Sequence, residues 1–274
     1  MTDLKNRLAL HTWTLDTTPL AEVLRIAPAA GWNAVELRRV DFVRCHEAGM
    51  SNDEVVGMVR RSGVKVAVMG TEYGILFAGK KDLGRLLDVL ALTCANAVAL
   101  GCDTIMTATG PGSGTVREAA ANLREASGIV KAHGVRLAYE FSSAHETINR
   151  LETAREIVAR ADHPSCGLLL DAYHLERSGA GGRAFEDVPA EDIFAFQYSD
   201  VPDTPLPDGA RPADRLPPGQ GRVRWREVLG LLAEKGYQGY LSYEAPNPAS
   251  WSRPPEEVAL EAARATRTLL GRIA

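Results

Sequence analysis

Short, unbroken apolar runs alternate along this chain with longer stretches in which apolar residues recur at helical spacing. The short runs fall at residues 8–13, 34–37, 64–69, 104–107, 135–141, 166–171, 193–198 and 239–243. A strand covered on both faces needs apolar side chains at successive positions rather than at every second one. These runs therefore predict buried strands of a parallel sheet. Amphipathic periodicity at 20–30, 52–62, 81–100, 116–133, 147–161, 225–235 and 256–270 predicts the intervening helices. Gly31, Gly63, Gly101, Gly134 and Gly236 each stand just before a strand, where a helix ends in a left-handed residue. The connection at 177–192 is Gly-rich and has room for only a short helix.

Strand then helix, eight times over, is an α/β pattern, and the count favours closure into a single (β/α)8 TIM barrel of eight parallel strands. At 274 residues the whole chain is expected to form that one domain. An open doubly wound sheet would lack its Gly-rich dinucleotide turn, because Gly110-Pro-Gly-Ser-Gly114 does not have the required spacing and reads as a plain loop. One connection departs from the pattern. Residues 199–224 carry six prolines and end in Pro218-Gly-Gln-Gly-Arg222. Loops of this length are functional or disordered, and its place after the seventh strand makes it an expected lid over the site.

The chemistry sits at the ends of the apolar runs. Glu140, Asp171, Gln197 and Glu244 each close a different predicted strand, and the C-terminal ends of barrel strands are where such folds hold their active sites. Taken singly, each residue reads as a cap or an ion-pair partner. Together, three acids at one barrel mouth repel one another unless protons or a cation neutralise them. Carboxylate and amide oxygens are hard donors, which points to Mn²⁺ or Mg²⁺, with Co²⁺ as a workable substitute and Zn²⁺ less favoured. His174, three residues past Asp171, is expected in the following loop and aimed at a substrate oxygen. Arg222, at the end of the lid, is a candidate for neutralising an oxyanion. Trp13, Tyr73 and Trp251 can stack on the apolar face of a sugar, while His11 reads best as a satisfied core histidine and His46 and His145 as loop residues.

The remaining composition narrows the class. A formal charge of −4 and the lack of a Lys/Arg block give no footprint for nucleic acid. No run approaches the roughly 20 apolar residues of a membrane helix. Cys45, Cys94, Cys102 and Cys166 have neither metal-site spacing nor scaffold density, so free thiols in a cytoplasmic setting are expected.

With these residues placed, the chain resembles the xylose-isomerase-like TIM-barrel superfamily of sugar isomerases and epimerases, a fold shared with AP-endonuclease-type nucleases. The likeness runs nearly the whole length and rests on Tyr139-Glu140-Phe141, Leu170-Asp171-Ala-Tyr-His174, Gln197-Tyr-Ser-Asp200, Pro218-Gly-Gln-Gly-Arg-Val223 and Gly236-Tyr-Gln-Gly-Tyr-Leu-Ser-Tyr-Glu244. It implies that Glu140, Asp171, Gln197 and Glu244 hold the metal, that Glu140 and Glu244 transfer protons, and that His174 touches substrate. Glu36 sits where the family commonly has a glutamate after its second strand, which makes it a further substrate-binding candidate. The implied reaction is proton transfer beside a carbonyl through a metal-stabilised enediolate of a small sugar or polyol-like ketone, in a protein able to form homo-oligomers.

Gln197, where many epimerases have histidine, is similar to the 3-dehydroshikimate dehydratase branch, so a metal-dependent dehydratase is the alternative. A non-catalytic barrel binding a polyol is a second one. Thr71-Glu72-Tyr73 stands where that branch would place an arginine, and no Gly-rich phosphate cradle follows the last strands. An uncharged substrate is therefore expected.

Overall fold

The computed structural model describes residues 4–207 and 209–273. Its strands are β1 (Leu8–His11), β2 (Ala34–Leu37), β3 (Lys65–Gly70), β4 (Thr104–Ala108), β5 (Arg136–Glu140), β6 (Cys166–Asp171), β7 (Ile193–Tyr198) and β8 (Leu241–Tyr243). Each pairs in parallel with its sequence neighbours, and β8 pairs with β1 to close the barrel. The helices are α1 (Leu20–Ala29), α2 (Arg39–Glu47), α3 (Asn52–Ser62), α4 (Lys80–Ala99), α5 (Val116–Ala132), α6 (Leu151–Ala161), α7 (Ala172–Arg177), α8 (Trp225–Glu234), α9 (Pro248–Trp251) and α10 (Pro255–Ile273).

Side chains alternate across a strand, and here both faces are buried by different kinds of residue. Leu8, Leu10, Val35, Leu137, Leu168, Leu170, Phe196 and Leu241 face the helices in one large apolar core. Ala9, Ala34, Met106, Ala138, Leu169 and Ala195 form a separate cluster of mostly small residues inside the barrel. The period of two then determines what stands at the rim. Two residues beyond these inner positions come His11, Glu36, Glu140, Asp171 and Gln197, and Glu244 holds the same relation to Ser242. The polar residues form the top inward layer because they share parity with the alanines beneath them.

Helix ends follow local chemistry. Ser51 and Thr115 open α3 and α5 with capping boxes, their hydroxyls accepting from the backbone of Glu54 and Glu118; such caps contribute about 1 kcal/mol each. Gly63 ends α3 at φ 70°, a conformation that a Cβ disfavours.

Two stretches differ from the sequence expectation. Helix α2 is absent from the periodic pattern because it buries only Asp41 and Phe42, too few for an amphipathic signal. The short helix expected within 177–192 lies earlier, as α7, because the Asp171 carboxylate caps it by accepting from Tyr173 N at 2.9 Å. His174 is therefore a buried helical residue rather than part of a loop.

The Pro-rich segment is held at both ends by one buried carboxylate. Asp200 accepts from the backbone N–H groups of Val201, Gly219 and Val223 and from the Trp225 indole N–H. Its own backbone pairs with Leu216 in both directions. The return limb of the segment is thus stapled to the end of β7.

Candidate metal and acid–base centre

Glu140, Asp171 and His174 bring one ligand atom each within 4.8 Å of one another, all buried. His174 Nε2 lies 3.8 Å from Glu140 Oε1 and 3.9 Å from Asp171 Oδ2. Glu244 joins the group through Arg215, whose Nη1 is 2.6 Å from Asp171 Oδ2 and 2.9 Å from Glu244 Oε2. His11 Nε2 lies 3.3 Å from Glu244 Oε1 and 3.7 Å from Glu36 Oε1. Gln197 completes the ring by donating its Nε2 hydrogen to Glu36 Oε1 at 2.8 Å.

That last bond orients the amide. With its NH₂ committed to Glu36, Gln197 turns its carbonyl away, and Oε1 is buried without a hydrogen-bond partner. Glu140 Oε1 is buried and unpartnered as well. Orphaned buried acceptors are expensive, and two on strands either side of Asp171 point to a cation as the missing partner. Charge leads to the same conclusion. Burial pushes the Glu36 carboxyl up to about 8, so it keeps its proton at neutral pH. Glu140, Asp171 and Glu244 when ionised, set against the Arg215 guanidinium, leave two negative charges, the complement of a divalent ion. Glu140 and Asp171, whose ligand atoms lie together with that of His174, fit a divalent ion, and the unpartnered Gln197 carbonyl and the Glu244 carboxylate stand on the same rim.

Burial raises Glu244 to about 7 against the opposing pull of Arg215. Glu140 stands well above the ordinary carboxylate range through burial and the charges of Glu244 and Asp171. Burial holds His174 neutral, its pKa lowered to about 3. Ser143 faces His174 Nδ1 with its backbone N–H at 3.2 Å and its hydroxyl at 2.9 Å. The first can only donate to an unprotonated Nδ1, whereas the second also accepts from a protonated one. Nε2 faces Arg215 Nη2 at 3.3 Å, and a guanidinium only donates, so both ring nitrogens meet N–H donors and the tautomer turns on the Ser143 hydroxyl.

The candidate residues are not all in one place. Glu36 lies within β2, fully buried, and supports Gln197 rather than facing an open cavity. Arg222 points to Glu176 at 3.7 Å and is 41% exposed, because its backbone N–H is bonded to Val201 O on the barrel flank. The lid arginine at the cluster is Arg215. Its N–H bonds Pro246 O, its carbonyl accepts from Asn247 Nδ2, and its guanidinium stacks 4.3 Å above the Tyr173 ring. The available signal for Arg215 was that three crowded acids call for a cation; its sequence neighbour Asp214 pairs instead with Arg177. Trp13 lies beside the cluster, in a neighbouring cavity with the Arg211 guanidinium 5.0 Å over its ring. His11 is satisfied and buried, as a core histidine would be, but it faces Glu244. His145 is engaged by its own loop, bonding Gly112 O and the backbone N–H groups of Thr147 and Ile148, and α6 starts beyond it at Leu151.

Known proteins share this architecture. Inosose isomerase of Halalkalibacterium halodurans is 26% identical over 257 residues, 89% of this chain and 89% of that protein. 3-Dehydroshikimate dehydratase of Pseudomonas aeruginosa is 27% identical over 89% of this chain, which spans only 39% of that longer enzyme. A crystal structure of IOLI protein with a binding zinc atom superposes with a TM-score of 0.87 over 98% of this chain and 99% of that one, at 22% identity. The xylose isomerase-like TIM barrel model matches residues 24–269, and the chain belongs to that family.

Proposed function

We propose that the chain is a divalent-metal-dependent isomerase or epimerase that moves a proton beside the carbonyl of a small keto sugar or polyol. The observation that carries this reading is the pair Glu140 and Glu244, two buried carboxyls at the ends of separate strands, both turned to one cluster. Two carboxyls facing one bound substrate can act as base and acid to its reacting carbon. Glu140, Asp171, Gln197 and Glu244 would hold the ion, and their hard oxygens favour Mn²⁺ or Mg²⁺. The bound ion supplies stabilisation of the negative charge that develops on an enediolate oxygen.

This chain's residues do the rest. One of Glu140 and Glu244 takes the carbon-bound proton, and the other returns it to the opposite face or to the adjacent carbon. His174 donates a hydrogen bond to the enediolate oxygen from Nε2. Arg215, immobile between Tyr173 and the acids, keeps Asp171 and Glu244 aligned and water out. The free thiols of Cys45, Cys94, Cys102 and Cys166 accord with a reducing, cytoplasmic setting.

The test is NMR in D₂O of the Mn²⁺-loaded chain with keto sugars, inososes and dehydroshikimate. Deuterium is expected next to the carbonyl, and it should vanish with chelator and in Glu140→Gln and Glu244→Gln. Loss of water from the substrate would instead favour the dehydratase alternative, in which His174 would protonate the departing hydroxyl. Exchange that persists in both variants rules out the acid–base pair.

A further inference from the structure

Beside the acid cluster, on the rim formed by the ends of β1, β2 and β3, lies a cavity of about 430 Å³ whose walls include Trp13, Tyr73 and four arginines, Arg38, Arg39, Arg44 and Arg211. The charges there do not balance. Arg38 pairs with Asp16 at 2.7 Å and with Asp41 at 3.1 Å, and Arg44 shares Asp16 at 3.2 Å. Glu72 is turned to Arg85, 2.7 Å away. Among the described residues, no carboxylate pairs with Arg39 or Arg211. Arg39 Nε is buried with no hydrogen-bond partner, and so is Thr71 Oγ1 on the same wall. A buried guanidinium N–H without an acceptor is uncommon, because the guanidinium retains its charge and its full set of donors.

The cavity adjoins the acid cluster. Trp13 N–H donates to His11 Nδ1 at 3.1 Å, and the other nitrogen of that imidazole faces Glu244. The Tyr73 hydroxyl reaches inward to Met106 Sδ at 3.6 Å, on the inner layer of the barrel. Trp13 and Tyr73 thus link the arginine cavity to the acid cluster, one through His11 and the other through the inner layer of the barrel.

We propose that this cavity binds an oxyanion, a carboxylate or phosphate carried by the substrate, with Arg39 and Arg211 as its ligands and Trp13 and Tyr73 flanking the carbon skeleton. This assignment rests on reading the mouth as a keto-substrate site and adds the substrate class, an anionic keto sugar or keto acid. It replaces the expectation of an uncharged substrate, which considered only an arginine after β3 and a Gly-rich cradle after the last strands. Here the cationic groups come from the end of β2 and from the lid.

The probes are inorganic phosphate and malonate, each titrated by calorimetry into the full chain after chelation, so that the anion has no bound ion to prefer. One of them should bind in a salt-sensitive way, and which one does identifies the group. Arg39→Gln and Arg211→Gln should each weaken it at least about tenfold, as expected for loss of a charge-assisted bond, and Arg39→Lys and Arg211→Lys should recover part of it. Thermal melts of the same variants separate lost binding from lost folding. Binding of neither anion, or binding unchanged in the Arg39→Gln/Arg211→Gln double variant, overturns the proposal. These outcomes are independent of catalysis. An anion site with no deuterium exchange on any substrate sinks the isomerase reading alone, whereas exchange restricted to uncharged ketones sinks this one.

Discussion

The two halves of the barrel mouth handle charge in opposite ways. On the side of β5 to β8, Glu140, Asp171 and Glu244 are buried, and their charges meet Arg215, itself 2% exposed. On the side of β1 to β3, Arg211 and Tyr73 are exposed, and two guanidiniums have no carboxylate partner among the described residues. A buried cluster must balance itself internally, because water is not there to screen it and unpaired ions incur several kcal/mol each. A solvent-facing cluster can stand ready and unbalanced, since solvent and salt reduce the penalty. The acid half is therefore suited to a permanent resident, a metal ion, and the arginine half to a ligand that comes and goes.

The largest effect that would test this contrast is Asp171→Asn. It removes a cluster carboxylate and leaves the Tyr173 cap acceptor in place, so deuterium exchange should fall at least about a thousandfold with unchanged circular dichroism. Next is Arg215→Gln. Taking the guanidinium from Asp171 and Glu244 leaves buried acids without their counter-ion, at a loss of about 3–5 kcal/mol of stability in chelator. Added Mn²⁺ should restore part of that loss in a melting experiment. A variant as stable as the parent without metal would mean that the acids are neutralised by protons alone.

How much of this was legible in the sequence depends on the distance over which each feature is determined. The strands could be read because double burial writes itself locally as an unbroken apolar run. The acids could be read because side-chain parity carries them to the barrel's top layer with no further information. Arg215 could not be distinguished from Arg222, since only the Asp200 staple and the Pro246 contact decide which lid arginine reaches the acids. The arginine half escaped notice for a similar reason. Four arginines among residues 38–44 and 211 look like solvated surface until pairing with Asp16 and Asp41 shows which two are left over. Helix α2, which carries Arg39 and Arg44 and has Arg38 as its N-cap, was hidden by its small apolar face.

A smaller effect probes the support beneath the acids. Glu36→Met keeps the volume but removes the acceptor that orients Gln197, freeing the amide to flip. Supporting groups of this kind contribute about 10- to 100-fold to metal affinity, so Mn²⁺ titration should weaken by that order, and Glu36→Gln, which can still accept the bond, should stay close to the parent. Equal losses in both variants would show that Glu36 acts through its proton and not through Gln197.

The mildest test is pH. In the metal-free protein Glu36 and Glu244 titrate near 8 and 7, so the folded state keeps protons that the unfolded chain, with glutamates near the ordinary 4.5, has already released. Stability therefore falls as pH rises through that window, by at most about 1.4 kcal/mol per pH unit for each retained proton. His11 and His174, both held neutral, act the other way, with an effect that fades above their ordinary value of 6.5 as the unfolded chain loses the protons that the folded one refuses. Between pH 6.5 and 8 the carboxyls outweigh that fading term, and the melting temperature in chelator should decline across the interval. A bound divalent ion expels the proton from Glu244, so saturating Mn²⁺ should flatten the decline and bind more tightly as pH rises. A melting temperature that climbs from pH 6.5 to 8 without metal would mean that the acid half is not the dry, internally balanced cluster described above.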